Sequence, residues 1–259
     1  MAPSYLESLF GLQGRIALVT GSSGGIGRAL AAGLAQAGAR VVVNGRAADK
    51  VAATVAEIVA DGGLAQGAVF DVADGVAARA GVARIEAEIG PIDILFNNAG
   101  IQRRAPLEEF SEETWRELMA TNLDSVFLVG QAVARAMIPR RRGIIVNVCS
   151  VQSELARPGI APYTASKGAV KMLTKGMATD WGKYGIRVNG LGPGYFRTPL
   201  NRALVEDAKF SAWLAGRTPL GRWGDVDELV GAAIFLASDA SSFVNGHILY
   251  VDGGITATL

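Results

Sequence analysis

Three polar residues within one segment of the chain have the types and the spacing of a proton-transfer site. Tyr163 follows Ser150 by 13 residues, and Lys167 follows Tyr163 by four. Residues at i and i+4 of a helix share one face, so the phenol and the ammonium can lie in one pocket. A neighbouring cation stabilises phenolate and lowers the pKa of tyrosine from about 10, which makes the phenol a usable acid and base. Because a lone Tyr–Lys pair at this spacing usually lies on a surface, the surrounding elements decide whether it does chemistry.

Short apolar runs alternate with longer amphipathic stretches along the 259 residues of the chain. Strands are predicted over 15–20, 40–43, 65–70, 92–96, 143–149, 186–191 and 247–251, with helices between them such as 25–37, 47–60 and 161–181. Continuous apolar runs are typical of strands that are buried on both faces. We therefore predict an α/β fold, a doubly wound, mainly parallel sheet of about seven strands, forming a single domain over residues 1–259.

One region, about 198–216, interrupts this alternation after the sixth predicted strand. It follows Tyr195 and Phe196 and contains Trp213. Ligands of open α/β sheets bind beyond the carboxyl ends of the strands, so a helical insertion there can form a lid over a substrate. The alternative is an ordinary pair of surface helices.

A glycine-rich turn joins the first predicted strand to the first long helix. Residues 20–27 are Thr-Gly-Ser-Ser-Gly-Gly-Ile-Gly. Glycines at such a turn let backbone N–H groups approach a pyrophosphate, which then lies at the positive end of the helix. The candidate cofactor-binding residues here are Gly21, Ser23, Gly25, Ile26 and Gly27.

The end of the second predicted strand bears on the choice between NAD and NADP. An acidic residue there would bind the ribose hydroxyls of NAD, but the chain has Gly45 and Arg46 at this turn. The planar guanidinium of Arg46 is suited to a 2′-phosphate, so we expect NADP(H) to be preferred, with NAD(H) possible. The alternative is that Arg46 stacks on adenine or lies in solvent.

Small and polar residues also follow three other predicted strands. The candidates for cofactor contact are Asp71 and Val72 after the third strand, Asn98, Ala99 and Gly100 after the fourth, and Pro193 and Gly194 after the sixth. Each is an ordinary turn when taken alone. Together they fall at the same edge of the predicted sheet, which favours one extended binding site.

Taken together, these motifs resemble those of the short-chain dehydrogenase/reductase family over nearly the whole chain. The matching positions, in the family's order, are 20–27, 97–100, Asn122, Ser150, Tyr163, Lys167, Pro193 and Gly194. The resemblance implies an NAD(P)-binding, Rossmann-type dehydrogenase. It also implies a homo-oligomer, most often a tetramer.

The resemblance further implies a role for each of four catalytic residues. Tyr163 would be the general acid in carbonyl reduction and the general base in alcohol oxidation. Lys167 would lower the pKa of Tyr163 and bind the nicotinamide ribose, and Ser150 would hold the substrate oxygen. Asn122 would support a water that links Lys167 to solvent, although a plain amide at a helix kink is the alternative.

Within that family, several stretches are similar to gluconate 5-dehydrogenases, which interconvert D-gluconate and 5-keto-D-gluconate. These stretches are 98–106, 149–157, 194–196, 217–219 and 242–246. The resemblance implies a small sugar acid as substrate. Two alternatives stay open within the fold, another keto-sugar or a 3-oxoacyl thioester, and a third, more remote one is a non-catalytic sensor of NADP(H).

Arginines near the predicted catalytic edge agree with an acidic substrate. Arg103 and Arg104 follow the fourth strand, Arg157 lies between Ser150 and Tyr163, and an arginine can bind a carboxylate with two hydrogen bonds. The candidate substrate-binding residues are Arg104, Ser150, Gln152, Arg157 and Tyr163. The alternatives are structural ion pairs, of Arg104 with Glu108 or Glu109 and of Arg157 with Glu154.

The composition argues against several other classes of protein. The formal net charge is only +1, which gives no sign of a nucleic-acid partner. The single cysteine, Cys149, cannot form a disulfide within the chain, and we expect it to be a buried strand residue rather than a nucleophile. The single histidine, His247, has no clustered ligands, so no metal site is expected. No apolar run is long enough to span a membrane and no signal pattern is present, so we expect a cytoplasmic protein.

Overall fold

A parallel sheet of seven strands forms the centre of the computed structural model, which describes residues 4–258. The strands are β1 (Ile16–Val19), β2 (Arg40–Gly45), β3 (Leu64–Val69), β4 (Ile92–Asn97), β5 (Gly143–Val148), β6 (Ile186–Pro193) and β7 (Ile248–Val251). Their order in the sheet is β3-β2-β1-β4-β5-β6-β7, and every neighbouring pair is parallel. The predicted parallel α/β sheet is therefore confirmed.

Helices cover both faces of this sheet. They are α1 (Tyr5–Phe10), α2 (Gly25–Gln36), α3 (Ala48–Ala60), α4 (Gly75–Glu88), α5 (Glu112–Met119), α6 (Ser125–Arg140), α7 (Ala161–Trp181), α8 (Arg202–Val205), α9 (Ala208–Arg217) and α10 (Val230–Ala237). One apolar core packs α4, α6 and α7 against the sheet, and a second packs α2, α3 and α10 against the opposite face. In the described part of the chain, no helix has the length and apolar character that crossing a bilayer requires.

Strand β3 departs from the prediction that the strands are buried on both faces. Leu64 and Val69 of β3 are exposed, whereas Ala68 is buried. The physical reason is its place at the edge of the sheet, where only β2 pairs with it. An apolar run in the sequence does not distinguish an edge strand from a central one.

The order of the strands places a crevice between β1 and β4. After β1 the chain builds outwards through β2 and β3, then returns to the other side of β1 with β4 and continues outwards to β7. The connections after β1 and β4 therefore diverge to opposite faces of the sheet. Such a switch point leaves a crevice at the carboxyl ends of the strands, where ligands of these folds bind.

A chain of buried amides attaches α7 to the middle of the sheet. The Nδ2 group of Asn97 donates to Oδ1 of Asn147 (2.9 Å), and Nδ2 of Asn147 donates to Oγ1 of Thr174 on α7 (2.9 Å). Thr174 in turn donates to the carbonyl oxygen of Val170 (2.8 Å). All three polar side chains are buried, so each depends on its protein partner for a hydrogen bond. This series of hydrogen bonds fixes the helix that carries Tyr163 and Lys167.

We expect Asn147→Leu to destabilise the protein by about 2–4 kcal/mol, because it removes two buried hydrogen bonds, one from Asn97 and one to Thr174. The measurement is urea unfolding followed by tryptophan fluorescence. Lys175→Ala, on an exposed position of the same helix, is the control and should change the free energy of unfolding by less than about 0.5 kcal/mol. Equal effects of the two substitutions would contradict the role given to the amides.

Candidate active site

A cavity of about 680 Å³ opens at the carboxyl edge of the sheet. It extends from the turn after β1 to the region around α8. The predicted site residues that line it are Gly21, Ser23, Gly25, Ile26, Gly27, Arg46, Asp71, Val72, Asn98, Ala99, Gly100, Arg104, Ser150, Gln152, Arg157, Tyr163, Lys167, Pro193 and Gly194. Asn122 does not line it. With that exception, the structure brings the predicted cofactor, catalytic and substrate residues together in one space.

The glycine-rich turn is shaped to receive an anion. Helix α2 begins after Gly24, and no side chain caps its first N–H groups. A Cβ atom on Gly21 would lie 2.8 Å from Cα of Ala99, and one on Gly27 would lie 2.4 Å from Nδ2 of Asn98. Larger residues would therefore push the turn off the neighbouring segment. The uncapped helix end and the close-packed backbone fit the pyrophosphate of a dinucleotide.

Asn44 is a site residue that the sequence reasoning missed. Its Oδ1 accepts from the backbone N–H of Gly21 (3.3 Å), and its Nδ2 donates to the carbonyls of Ala68 (3.0 Å) and Phe70 (3.2 Å). The side chain therefore links the ends of β1, β2 and β3 at the cavity wall. The available signal was an asparagine at the end of an otherwise apolar strand, which at a buried position requires partners.

Two cations lie at the end of the cavity beyond β2. Arg46 and Lys50, which was also missed, both line it. Arg46 Nη1 is 3.7 Å from Oδ2 of Asp71, but the two side chains are 75% and 42% exposed, so the attraction is weak. The guanidinium therefore remains able to bind a more highly charged group such as a phosphate monoester.

Tyr163 and Lys167 extend from α7 into the same cavity, as the i,i+4 spacing predicts. The Nζ of Lys167 lies 5.9 Å from the centre of the Tyr163 ring and donates to the carbonyl oxygen of Val148 (2.7 Å). Burial raises the pKa of Tyr163, and a hydrogen bond with Ser150 opposes that rise. The direction of this pKa shift is opposite to the lowering expected from Lys167, because desolvation of the phenol is the largest effect.

Burial also shifts the pKa values of two neighbours of Tyr163. The pKa of Lys167 is lowered to about 8 by desolvation of its ammonium. Desolvation raises the pKa of Cys149 to about 11, so its thiol stays protonated near neutral pH. Cys149 is therefore poorly suited to be a nucleophile, and it is buried as expected, although β5 ends one residue before it and not at Cys149.

Ser150 occupies a constrained position directly after β5. Its Oγ accepts from the backbone N–H of Gln152 (3.1 Å), which begins a short 3₁₀ turn over Val151–Ser153. The same hydroxyl group is near enough to the phenol of Tyr163 to oppose the rise in its pKa. A ketone oxygen in the cavity could therefore meet two hydroxyl groups at once, the arrangement needed to polarise it and to exchange a proton with it.

Asn122 lies in a π-helical turn, Ala120–Asp124, between α5 and α6. Its Nδ2 donates to the carbonyl of Ile101 (2.9 Å) and to Oγ of Ser166 (3.3 Å), while its Oδ1 accepts from the N–H of Ile101 (2.7 Å). The side chain thus connects the segment after β4 to α7. Its predicted support of a water stays a prediction, since the amide itself braces the protein.

The ion pairs considered for Arg104 and Arg157 do not form among residues 4–258. Arg104 is directed to Oδ1 of Asn201 at 3.5 Å, and its pKa is lowered by burial and by the nearby charge of Arg157. The carboxylate of Glu154 pairs with Lys171 rather than with Arg157. Two guanidinium groups are therefore left beside the catalytic hydroxyls with no carboxylate of the described residues to neutralise them.

Arg103 belongs to a different environment from its neighbour. Its guanidinium bonds to both carboxylate oxygens of Glu117 on α5, at 2.7 and 3.2 Å. It does not line the cavity. The sequence placed Arg103 and Arg104 together, whereas the structure separates them into a surface ion pair and a cavity residue.

Comparison with known proteins places this site in a family. A family model described as enoyl-(acyl carrier protein) reductase matches residues 21–256. A gluconate 5-dehydrogenase of Gluconobacter oxydans is 65% identical over 97% of this chain and 98% of its own. A 5-keto-D-gluconate 5-reductase of Escherichia coli is 52% identical over 96% and 98%. The crystal structure of a gluconate 5-dehydrogenase from Burkholderia cenocepacia in complex with NADP and tartrate superimposes with a TM-score of 0.96, at 61% identity over 98% of this chain and 100% of that one.

The chain belongs to the short-chain dehydrogenase/reductase family. It is an oxidoreductase of the NAD(P)-dependent kind, and the resemblance inferred from its motifs is confirmed.

Proposed function

We propose that the protein interconverts D-gluconate and 5-keto-D-gluconate, with NADP(H) as the preferred cofactor and NAD(H) tolerated. The observation that carries the substrate assignment is the pair Arg104 and Arg157, whose guanidinium groups flank the catalytic hydroxyls without a carboxylate partner in the described chain. A carboxylate of the substrate would neutralise them. The similarity to a gluconate 5-dehydrogenase and a 5-keto-D-gluconate 5-reductase supports the same assignment.

The residues around the substrate oxygen have separate roles in the proton transfer. In reduction, the phenol of Tyr163 gives its proton to the ketone oxygen as the C5 carbon gains hydride, and in oxidation the phenolate takes that proton back. Ser150 holds the oxygen, and Lys167 stabilises the phenolate and binds the cofactor ribose. When bound, the nicotinamide group supplies or accepts the hydride.

The adenosine end of the cavity favours the 2′-phosphorylated cofactor. Arg46 and Lys50 are the two cations there, and no acidic residue ends β2. The crystal structure of the Burkholderia enzyme contains NADP. A phosphate monoester between two cations gains attraction that a ribose hydroxyl does not, which supports a preference for NADP(H).

The remaining expectations are part of the same proposal. We propose a single-domain cytoplasmic enzyme that forms a homotetramer, with the region about 198–216 acting as a lid. The short helix α8 and the longer α9 occupy that region, and 198–201 line the cavity.

Wild-type protein should oxidise NADPH in the presence of 5-keto-D-gluconate, measured as the loss of NADPH absorbance. Tyr163→Phe should lower kcat by roughly a hundred- to ten-thousandfold, because it removes the acid and base but keeps the ring. Cofactor binding, followed by NADPH fluorescence, should be retained. Wild-type activity in this variant would remove Tyr163 from the chemistry, and activity with acetoacetyl thioester alone would overturn the sugar-acid assignment.

Arg104→Ala and Arg103→Ala form a matched pair of neighbouring substitutions. We expect Arg104→Ala to lower kcat/KM for 5-keto-D-gluconate by at least about tenfold, because a charge-assisted hydrogen bond contributes about 1.5–3 kcal/mol. Arg103→Ala should leave kcat/KM within about twofold, since its partner is Glu117 on the surface. Steady-state kinetics with saturating NADPH decide between them, and equal effects would refute the carboxylate role of Arg104.

Arg46→Ala should raise KM for NADPH by about tenfold and leave KM for NADH nearly unchanged, because only NADPH carries the 2′-phosphate. Arg28→Ala is the control, since Arg28 of α2 pairs with Glu57 of α3 and does not line the cavity. The measurement is initial rate against each cofactor. Parallel increases in KM for both cofactors would show that Arg46 does not recognise the phosphate.

A further inference from the structure

Tyr195 lines the cavity, but it is not among the predicted catalytic, cofactor-binding or substrate-binding residues. It follows Gly194 at the end of β6, and its side chain is partly buried. Its hydroxyl oxygen accepts hydrogen bonds from Nε of Arg157 (3.1 Å) and from Nε2 of Gln152 (3.3 Å). One phenol therefore holds two of the predicted substrate-binding side chains.

The second amide atom of Gln152 is left without a partner. Gln152 is 6% exposed, and its buried Oε1 makes no hydrogen bond within the described residues. Whichever amide atom faces Tyr195, the other has no hydrogen-bond partner among residues 4–258. A buried unpaired amide atom in the wall of a cavity is costly unless a ligand satisfies it, and a hydroxyl group can do so as donor or acceptor.

Arg157 is restricted on two sides. Tyr195 binds its Nε, and the ring of Phe210 on α9 lies 5.4 Å from the guanidinium carbon, in a cation–π contact. Its Nη1 is directed to the carbonyl of Pro158 (3.4 Å), and Nη2 makes no hydrogen bond in the part of the chain that the structure describes. One edge of the guanidinium thus remains for an anion.

The aromatic rings hold this arrangement together. Tyr195 contacts Phe210 with ring centres 5.8 Å apart, and it meets Trp223 edge to face, also at 5.8 Å. Trp223 donates from Nε1 to Oγ of Ser211 on α9 (3.0 Å). The position of Tyr195 is therefore fixed by packing, so its hydroxyl is a rigid anchor for two flexible side chains.

We propose that Tyr195 is a positioning residue that sets substrate specificity: its hydroxyl orients Gln152 towards a substrate hydroxyl and Arg157 towards the substrate carboxylate. This inference rests on the proposed function for its substrate class, a hydroxylated carboxylate. It adds that the selection of this class depends on a phenol that does not touch the reacting carbon. If Tyr195 acted only through the packing of its ring, substrate selection would not depend on its hydroxyl.

The test is Tyr195→Phe, which removes the hydroxyl and keeps the ring between Phe210 and Trp223. We expect KM for 5-keto-D-gluconate to rise at least about tenfold, with kcat lowered by less than about threefold, because lost orientation weakens binding of ground state and transition state alike. Tyr184→Phe, at a tyrosine outside the cavity, is the matched control. A fall in kcat with unchanged KM would overturn the proposal.

A cycle that ends in a triple variant separates positioning from a structural effect. Arg157→Lys keeps the charge but loses the Nε donor. If Tyr195 acts through Arg157 and Gln152, adding Tyr195→Phe to a variant with both Arg157→Lys and Gln152→Ala should cause less than about a twofold further change in KM. A full additional loss would show that the hydroxyl acts elsewhere, and melting temperatures check that each variant is folded.

Binding of D-gluconate, measured by calorimetry, gives a readout that does not need turnover. If wild type has no activity on 5-keto-D-gluconate, the proposed function fails, while a tenfold weaker binding of D-gluconate or tartrate by Tyr195→Phe would still support the positioning role. Equal binding by wild type and variant, or no binding of either hydroxycarboxylate by wild type, would overturn it.

Discussion

The active site depends on the fixed position of α7 relative to β5. Tyr163 and Lys167 lie on this helix, while Ser150 follows the strand, so their distances are fixed only if helix and strand keep one register. Two contacts set it: the bond from Asn147 to Thr174, and the bond from Lys167 to the carbonyl of Val148. Both are buried, where an unmade hydrogen bond is expensive. A helix held by apolar packing alone could shift with little cost and separate the hydroxyls.

Charge is concentrated in the cavity although the chain as a whole is nearly neutral. Arg46 and Lys50 lie at one end, with Asp71 beside Arg46, and Lys167, Arg104 and Arg157 lie at the other. Anions can therefore bind at both ends of one continuous space. The net charge of +1 conceals this, because it averages the cavity with surface pairs such as the one between Arg103 and Glu117.

The sequence predicted the fold well, because the signals were local. Continuous apolar runs gave the strands, and the glycine turn followed by a helix gave the point where α2 begins. The spacing of Tyr163 and Lys167 gave their common face, since helical geometry fixes that relation. The edge exposure of β3 was not predictable, because it depends on which strands pair.

The charge states and environments of the site residues were less predictable from the sequence than their identities. The direction of the Tyr163 pKa shift depends on burial of the phenol, which is set by tertiary packing and not by local spacing. The spacing of Arg103 and Arg104 did not show that their side chains lie in different environments. Arg103 pairs with Glu117, whereas Arg104 lines the cavity. Nor did spacing show the convergence of Gln152 and Arg157 on Tyr195, because those residues are about forty positions apart in the chain.

The burial of Cys149 affects how the folded protein reacts with thiol reagents. It is the single thiol of the sequence, it is buried, and its raised pKa keeps it protonated. Alkylating reagents and peroxide attack thiolates, so we expect this thiol to react slowly with them in the folded protein. A cysteine introduced on the outer face of α9 would therefore be the one reactive thiol, and a fluorophore attached there would report motion of that helix without competing labels.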